Sequence, residues 1–190
     1  MATDSSDSPV RPPETFATAR LAARPPRPDD APALFAAYAS DPVATRYLAW
    51  KPYTSLPPLE DFLRGRAAVW QSVPTGDEHY AWLLCLRGTD APIGSIGLFL
   101  EGPKVMFGYV LGQAYWGHGY ASEALRFLVD WTMAEPRLSR AWAYCAADNA
   151  ASARVMAKAG LEYEGVLRRW QSFPNLGPEP RDCVFYARVK

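Results

Sequence analysis

Cysteine is scarce in this chain of 190 residues, and its three cysteines lie far apart in the sequence. Three cysteines cannot all be paired in disulfides, and no two of them have the spacing of a zinc site. We therefore expect Cys85, Cys145 and Cys183 to be small core residues of a protein in a reducing, cytoplasmic compartment. We also expect no bound metal.

Long apolar runs and net charge are absent as well. No stretch approaches the ~20 apolar residues of a membrane span, and the polar N-terminus lacks the apolar segment of a signal peptide. The 20 basic residues balance the 20 acidic ones, which gives no general attraction to nucleic acid or to an acidic membrane surface. The default expectation is a cytoplasmic enzyme or binding protein with no membrane or direct nucleic-acid partner.

Apolar residues, by contrast, make up 49% of the chain, enough to fill the core of one domain. Residues 1–15 are rich in Ser, Asp and Pro and predict a disordered tail. Residues 16–190 show no repeat and no second boundary, so we predict a single domain there.

The order of helical and strand-like patterns is typical of a mixed sheet. A short strand at Leu21 precedes a helix, a short second helix that reaches Leu48, and a helix over residues 58–70 with Leu59, Phe62 and Leu63 turned inward. Strands follow at 79–86, 92–100 and 105–111, then a central helix, a strand at 140–145, a helix at 150–159 and strands at 163–171 and 182–189. We predict an α+β (mixed α/β) fold, a central twisted mixed sheet of about six to seven strands flanked by about four helices.

One segment is more informative than the rest. In GYVLGQAYWGHGYASEAL, a strand leads into Gly117 and Gly119 and then into an amphipathic helix. The first amides of a helix have no internal partner and lie at the positive end of its dipole, so such a turn can bind a phosphate without Lys or Arg. The alternative is a Gly-rich turn that binds nothing. A phosphate-loop NTPase ending is missing, and Ser122 replaces the third glycine of a dinucleotide fingerprint.

The segment YWGHGYASEAL resembles motif A of the GNAT acetyltransferases, especially the branch of the RimJ/RimL ribosomal-protein N-acetyltransferases. Three further stretches resemble that branch in the same order: TARLAARPPRPDDAPALFAAYASDPVATRYL, the hairpin around APIGSIGL, and DNAASARVMAKAGLEYEGVLR. The resemblance runs from residue 18 to residue 190. It implies the GNAT fold and acetyl-CoA (coenzyme A) as co-substrate.

The resemblance also implies which residues bind the coenzyme. Amides of residues 117–122 would bind its pyrophosphate, and a splayed strand edge would pair with the pantetheine arm like an added strand. Leu111 could hold the thioester carbonyl oxygen through its amide. Trp116 takes the usual Gln/Arg position, Asn149 is either a pantetheine contact or a helix cap, and we favour a solvent-facing role for His118. The predicted cofactor-binding residues are Tyr109, Val110, Leu111, Trp116, Gly117, His118, Gly119, Tyr120, Ala121, Ser122, Asn149 and Ser152.

The catalytic residues depart from the usual pattern of the superfamily. Many GNAT enzymes place a Tyr seven residues after the Asn of the Asn-x-x-Ser helix, and here that position is Met156. Ser152 is our candidate for contacting the sulfur; its alternative role is to bond the helix backbone. Glu164 is our candidate base. Its rivals are Glu78, His79 and Asp148, and a base that acts through water, or no base, remains an option.

The acceptor site should lie opposite the coenzyme, between an early loop with Tyr47, Leu48, Trp50 and Tyr53 and a late segment, 170–181, that starts at Trp170. Alternatively, these aromatic residues pack the core or a dimer contact. The resemblance favours acetylation of a protein N-terminal α-amine. A small amine (amino acid, polyamine or aminoglycoside) is the alternative acceptor, and a non-catalytic acyl-CoA sensor is the alternative class. The chain is predicted to be a monomer or a homodimer.

Overall fold

The structure, a computed structural model, describes residues 9–190. Residues 1–8 of the predicted tail lie outside the described residues. Residues 9–15 form no helix or strand, yet they pack on the domain: the indole nitrogen of the buried Trp82 donates to the carbonyl oxygens of Pro13 and Glu14, each at 3.1 Å. Pro12 is buried beside them. The packed chain therefore begins before the predicted boundary at residue 16.

Within residues 9–190, eight strands form one sheet in the order β1-β2-β3-β4-β5-β6-β8-β7. Neighbouring strands are antiparallel, except β5 and β6, which are parallel. The mixed sheet is as predicted, and the strand beyond the expected six or seven is the two-residue β1. The strands are β1 (Phe16–Ala17), β2 (Leu21–Arg24), β3 (His79–Leu86), β4 (Pro92–Glu101), β5 (Lys104–Leu111), β6 (Arg140–Ala146), β7 (Glu162–Gln171) and β8 (Arg181–Val189).

Four α-helices accompany the sheet: α1 (Ala31–Leu34), which continues as a π-helical turn (Phe35–Ala39), α2 (Leu56–Val69), α3 (Tyr120–Ala134) and α4 (Ala150–Lys158). The second short helix predicted to reach Leu48 is wrong, because successive turns take its place; the amide of Leu48 donates to the carbonyl of Thr45. The inward orientation predicted for Phe62 is also wrong. Leu59 and Leu63 take the buried face of α2, and Phe62 is 45% exposed.

The helices cover the two faces of the sheet unequally. On one face, α3 and α4 bury Leu125, Leu128 and Met156 against the main core. On the other face, α1 and α2 form a second cluster around Leu34 and Leu59, which packs on β3. The part of this second face formed by β6, β8 and β7 carries half-buried aromatic side chains instead of a helix. No helix within residues 9–190 has the length and apolar character needed to cross a membrane.

Candidate active site

A gap opens in the middle of the sheet where the two parallel strands separate. β5 and β6 pair only through Lys104 with Arg140, Val105 with Ala141 and Met106 with Trp142. Beyond these pairs the described strands run apart, so the sheet is closed at their amino ends and open at their carboxyl ends. We call this opening the sheet gap; its open end lies near Leu111 on β5 and Ala146 on β6.

The β5 edge of the sheet gap has main-chain groups free for a ligand. The Gly112 amide donates to the carbonyl of Ile93 at 2.9 Å. Because hydrogen-bonded pairs alternate in an antiparallel ladder, Val110 bonds to β4, while the main-chain groups of Tyr109 and Leu111 point into the gap. The Leu111 carbonyl accepts from the indole of Trp116 at 2.8 Å, which leaves its amide for a ligand. Val110 was also predicted to belong to this free edge. Its main chain bonds to β4 instead, and its side chain packs against the cluster of α1 and α2.

The turn before α3 presents its amides to solvent. Gly117 and Gly119 have φ of +79° and +82°, a left-handed backbone that favours glycine, and α3 begins at Tyr120. The first helical hydrogen bond runs from the amide of Glu123 to the carbonyl of Gly119. Within residues 9–190, the amides of the three residues between them have no acceptor. This arrangement fits a diphosphate, because bare amides and the helix dipole both favour an anion.

Arg20 also lies at this turn, although no motif in the sequence points to it. Its guanidinium donates to the His118 carbonyl at 2.8 Å and to the Glu123 carboxylate at 2.7 Å, and it lies over the Tyr120 ring. The His118 side chain is exposed and stacks on Tyr120, in line with a solvent-facing role. Arg20 is about a hundred residues from the motif, so only the fold brings them together.

The amino end of α4 faces the sheet gap from the other side. Asn149 caps the helix, with its side-chain oxygen accepting from the Ser152 amide at 3.2 Å. The Ser152 hydroxyl lies 2.7 Å from the hydroxyl of Tyr109, which reaches across from β5. Burial raises the pKa of Tyr109 above its usual value, so its hydroxyl stays protonated. Met156 is fully buried in the core and offers no proton.

A comparison of sequences decides the family. Residues 20–162 match the acetyltransferase (GNAT) domain, which is well over half of the chain. The chain belongs to the GNAT acetyltransferase family. It is therefore an acyl-CoA-dependent N-acetyltransferase with the GNAT fold.

Relatives and solved structures agree with this family. The uncharacterized N-acetyltransferase YoaA of Bacillus subtilis is 32% identical over 176 residues, 91% of this chain and 95% of that protein. The uncharacterized N-acetyltransferase p20 of Bacillus licheniformis is 29% identical over 161 residues, which are 83% of this chain and 88% of that protein. RimL, the ribosomal L7/L12 alpha-N-protein acetyltransferase solved with coenzyme A, has a TM-score of 0.78 at 21% identity and covers 93% of this chain and 98% of its own. At that identity, the likeness to RimL shows the fold alone.

Glu164, the predicted catalytic base, is held in an ion pair with Arg140, and its role as the base stays a prediction. Its carboxylate pairs with Arg140, whose Nη1 donates to it at 2.9 Å. Arg140 begins β6 at the closed end of the sheet gap, and Ala146 lies six residues further, about 20 Å away at the rise of a strand. Glu78 is also at the closed end, where it accepts hydrogen bonds from Thr75 and Gly76.

His79 is poorly suited to act as the base, because one ring nitrogen is engaged by Arg66 and the other carries the proton. Burial, with a smaller effect of the nearby Arg66 charge, lowers the pKa of His79 to about 3. Arg66 has only donors, so the His79 Nδ1, 2.5 Å from its Nη1, must accept, and the proton lies on Nε2. Among the carboxylates named as rivals, only Asp148 is near the open end, 3.9 Å from the guanidinium of Arg181.

The predicted acceptor residues lie on the face opposite α3 and α4, in separate clusters. Asn175 joins the late segment to the early loop, because its amide donates to the carbonyls of Thr45 at 2.7 Å and Trp50 at 2.8 Å. Tyr47 packs near Ala146, whereas Trp50 and Tyr53 pack in the cluster that contains Val110.

Trp170 lies on an aromatic surface, edge-on to Phe185 with ring centroids 5.3 Å apart. The other members of this surface, Trp142, Tyr144 and Phe185, were missed. The alternation of aromatic residues with Ala in RAWAYCA could have indicated such a face. Within residues 9–190, no three His, Cys, Asp or Glu side chains are grouped so as to hold a metal.

Proposed function

We propose that this protein transfers an acetyl group from acetyl-CoA to the α-amine of a protein N-terminus, by direct attack in a ternary complex. One observation carries the proposal: the sheet gap joins the anion-binding end of α3 on one face to an open aromatic surface on the other. RimL and the acetyltransferase MccE, solved with acetyl-CoA and AMP at a TM-score of 0.78 and 16% identity, support a coenzyme in this fold.

The coenzyme would bind along one side of the sheet gap. Amides of residues 117–122 take its pyrophosphate, and the main-chain groups of Tyr109 and Leu111 pair with the pantetheine amides as an added strand would. Trp116 flanks this edge through its bond to Leu111, and Val110 contributes no polar contact. Asn149 supports the opposite side by holding the first turn of α4.

Acetyl transfer then needs a hydrogen-bond donor to the developing oxyanion and another to the leaving sulfur. It also needs a route by which the proton of the attacking amine can leave. The Leu111 amide stabilises the charge that develops on the thioester oxygen. Ser152 donates a hydrogen bond to the sulfur as the carbon–sulfur bond breaks, and coenzyme A leaves as the thiolate, which takes up a proton from solvent. The proton of the attacking amine leaves through water, with Asp148 as the nearest carboxylate named above. Holding both substrates in line supplies much of the acceleration.

The test is a thiol-release assay with acetyl-CoA and a panel of amines. The panel holds peptides with a free N-terminus, the same peptides with a formylated N-terminus, amino acids, a polyamine and an aminoglycoside. We expect release with the free peptides and none with the formylated ones. Turnover of the small amines alone would favour the alternative acceptor, and coenzyme binding in calorimetry without any turnover would favour the sensor.

A cytoplasmic location forms part of the proposal. Cys85, Cys145 and Cys183 are free and buried, and burial raises the pKa of the Cys145 thiol to about 11. Unpaired thiols are usual in a reducing compartment. The choice between monomer and homodimer stays a prediction.

A further inference from the structure

An open trough lies on the acceptor face of the sheet, over Gly108. This glycine is exposed although it belongs to a central strand, and a side chain placed on it would meet no atom within 4 Å. Its neighbours Phe107 and Tyr109 point toward α3 and α4, so alternation along the strand turns position 108 to the other face. The empty space is therefore on the side from which an acceptor would approach.

His79 forms one wall of this trough. Gly97 pairs with Gly108 across the β4–β5 ladder, and a Cβ on Gly97 would lie 2.7 Å from the His79 Nε2. The imidazole thus covers Gly97 and ends beside the open space. Because Nδ1 accepts from Arg66, Nε2 carries a proton, and it makes no hydrogen bond within residues 9–190. His79 therefore offers the trough a neutral N–H donor.

Aromatic rings form the other wall. Met106 pairs with Trp142, so Tyr144 lies level with Gly108 on the far side of the sheet gap. Tyr144 stacks on Phe185 with ring centroids 5.2 Å apart, and Trp170 packs edge-on against the same ring. His79 lies over β4 and Tyr144 is on β6, which are separated by two strand spacings, about 10 Å, where β5 and β6 are paired. At the level of Gly108 the sheet gap widens this spacing, so a side chain has room between the two walls.

The charges near the trough do not favour a polycation. Glu164 lies beside the aromatic wall and is paired with Arg140, at the start of β6. Arg66, behind His79, has no carboxylate partner in the described part of the chain, and its Nε atom is buried without an acceptor. The local charge is therefore positive, which repels an acceptor that carries several amines.

We propose that this trough receives the residue that carries the reacting amine, an α-amino acyl group with an apolar and preferably aromatic side chain. The His79 N–H donates to its carbonyl oxygen, and its side chain packs over Gly108 against Tyr144 and Phe185. This inference rests on the proposed function and narrows it, because it excludes polyamines and aminoglycosides as acceptors.

The decisive variant is Gly108→Val, which fills the trough. The side chain meets nothing in the protein, and β-branched residues suit strands, so the variant should fold. We expect kcat/KM for a peptide that begins with Phe to fall at least tenfold, with the Kd for acetyl-CoA unchanged. Gly108→Ala should lose less of this activity. Gly65→Val is the matched control for folding, because Gly65 lies on α2 and a Cβ there also has no atom within 4 Å.

A binding arm keeps the test decisive even if no amine is turned over. In the presence of coenzyme A, we expect N-acetyl-phenylalanine amide to bind at least tenfold tighter than N-acetyl-alanine amide by calorimetry. We expect Gly108→Val to abolish that preference. No preference in the wild-type protein, or one that survives in Gly108→Val, would overturn the trough. Turnover of amines without regard to side chain would overturn it too, while leaving the acetyltransferase proposal intact.

Discussion

At the scale of single residues, Met156 cannot donate a hydrogen bond to the leaving sulfur. The proposed mechanism gives that role to Ser152, whose hydroxyl contacts Tyr109. The Ser152 carbonyl belongs to the hydrogen-bond ladder of α4, so the short contact to its hydroxyl is the better use of the Tyr109 proton. If Tyr109 donates there, the Ser152 hydrogen is free to turn either to the Cys145 sulfur or into the sheet gap. Tyr109 would then be a positioning residue that acts through Ser152.

Tyr109→Phe should therefore lower kcat about two- to tenfold, the value of one neutral hydrogen bond, and leave the Kd for acetyl-CoA unchanged. Ser152→Ala should lower kcat further, because it removes the donor itself. Steady-state kinetics and calorimetry separate the two effects. Tyr163→Phe, on the exposed β7, is the control. Equal kcat values in Tyr109→Phe and the wild-type protein would remove this role.

A second prediction at this scale concerns stability and pH. The pKa of His79 is about 3 in the folded chain and about 6.5 when unfolded, so the unfolded chain binds more protons between these values. The stability that the neutral form contributes is complete above pH 6.5 and is lost as pH falls toward 3. Urea unfolding at pH 7 and pH 4.5 should show a smaller loss of unfolding free energy in His79→Gln than in the wild-type protein. Identical losses would show that His79 titrates normally.

At the scale of elements, α3 matters through its first turn. Gly117 and Gly119 let the chain enter the helix with its amides bare, and Arg20, just before β2, contacts the turn. The dipole of a helix adds a partial positive charge at this end. A carboxylate placed there would compete with any bound anion.

Gly119→Asp should accordingly weaken acetyl-CoA binding by more than about 100-fold, since a negative side chain would meet the pyrophosphate. Gly102→Asp is the matched control, because Gly102 also has positive φ, +60°, but lies in the turn between β4 and β5 at the closed end of the gap. Both substitutions place an Asp at a position of positive φ, but only the one at Gly119 acts on the α3 turn. Equal affinities of the two variants in calorimetry would refute the assigned turn.

The sequence predicted local elements better than their orientation. Caps and periodicity place α3 and α4 correctly, since both signals arise within a few residues. The ion pair of Glu164 with Arg140 could not be predicted, because it depends on the order β6-β8-β7, a long-range property. β7 also has a register shift between Tyr163 and Gly165 and a positive φ at Arg169, which no simple alternation predicts.

At the scale of the whole molecule, function depends on contacts between distant segments. Arg20 reaches the α3 turn, Asn175 joins the late segment to the early loop, and His79 borders Gly108 through the pairing of three strands. None of these contacts leaves a signal in a single sequence. The proposed coenzyme half of the site could be named from the sequence because one continuous motif supplies most of its residues, whereas the proposed acceptor half is drawn from segments far apart in the chain.

The packing of residues 9–15 on Trp82 is another contact between distant segments. The ring of Trp82 is fully buried, and its nitrogen has the carbonyls of Pro13 and Glu14 as partners. Arg11 donates to the carbonyl of Trp70, which packs edge-on against Trp82. A chain that starts at residue 16, the predicted boundary, would lose all of these partners.

We therefore expect a chain that starts at Phe16 to be about 1–3 kcal/mol less stable than one that starts at Pro9, the cost of leaving a buried donor without its acceptor. Urea denaturation followed by tryptophan fluorescence compares the two chains, and the slope m should stay similar because little surface changes. Acetyl-CoA affinity should stay similar, because Thr18 and Arg20, which contact Glu123 at the α3 turn, are present in both chains. Equal unfolding midpoints would place the stable boundary at residue 16 and show that water replaces the two carbonyls on Trp82 at no cost.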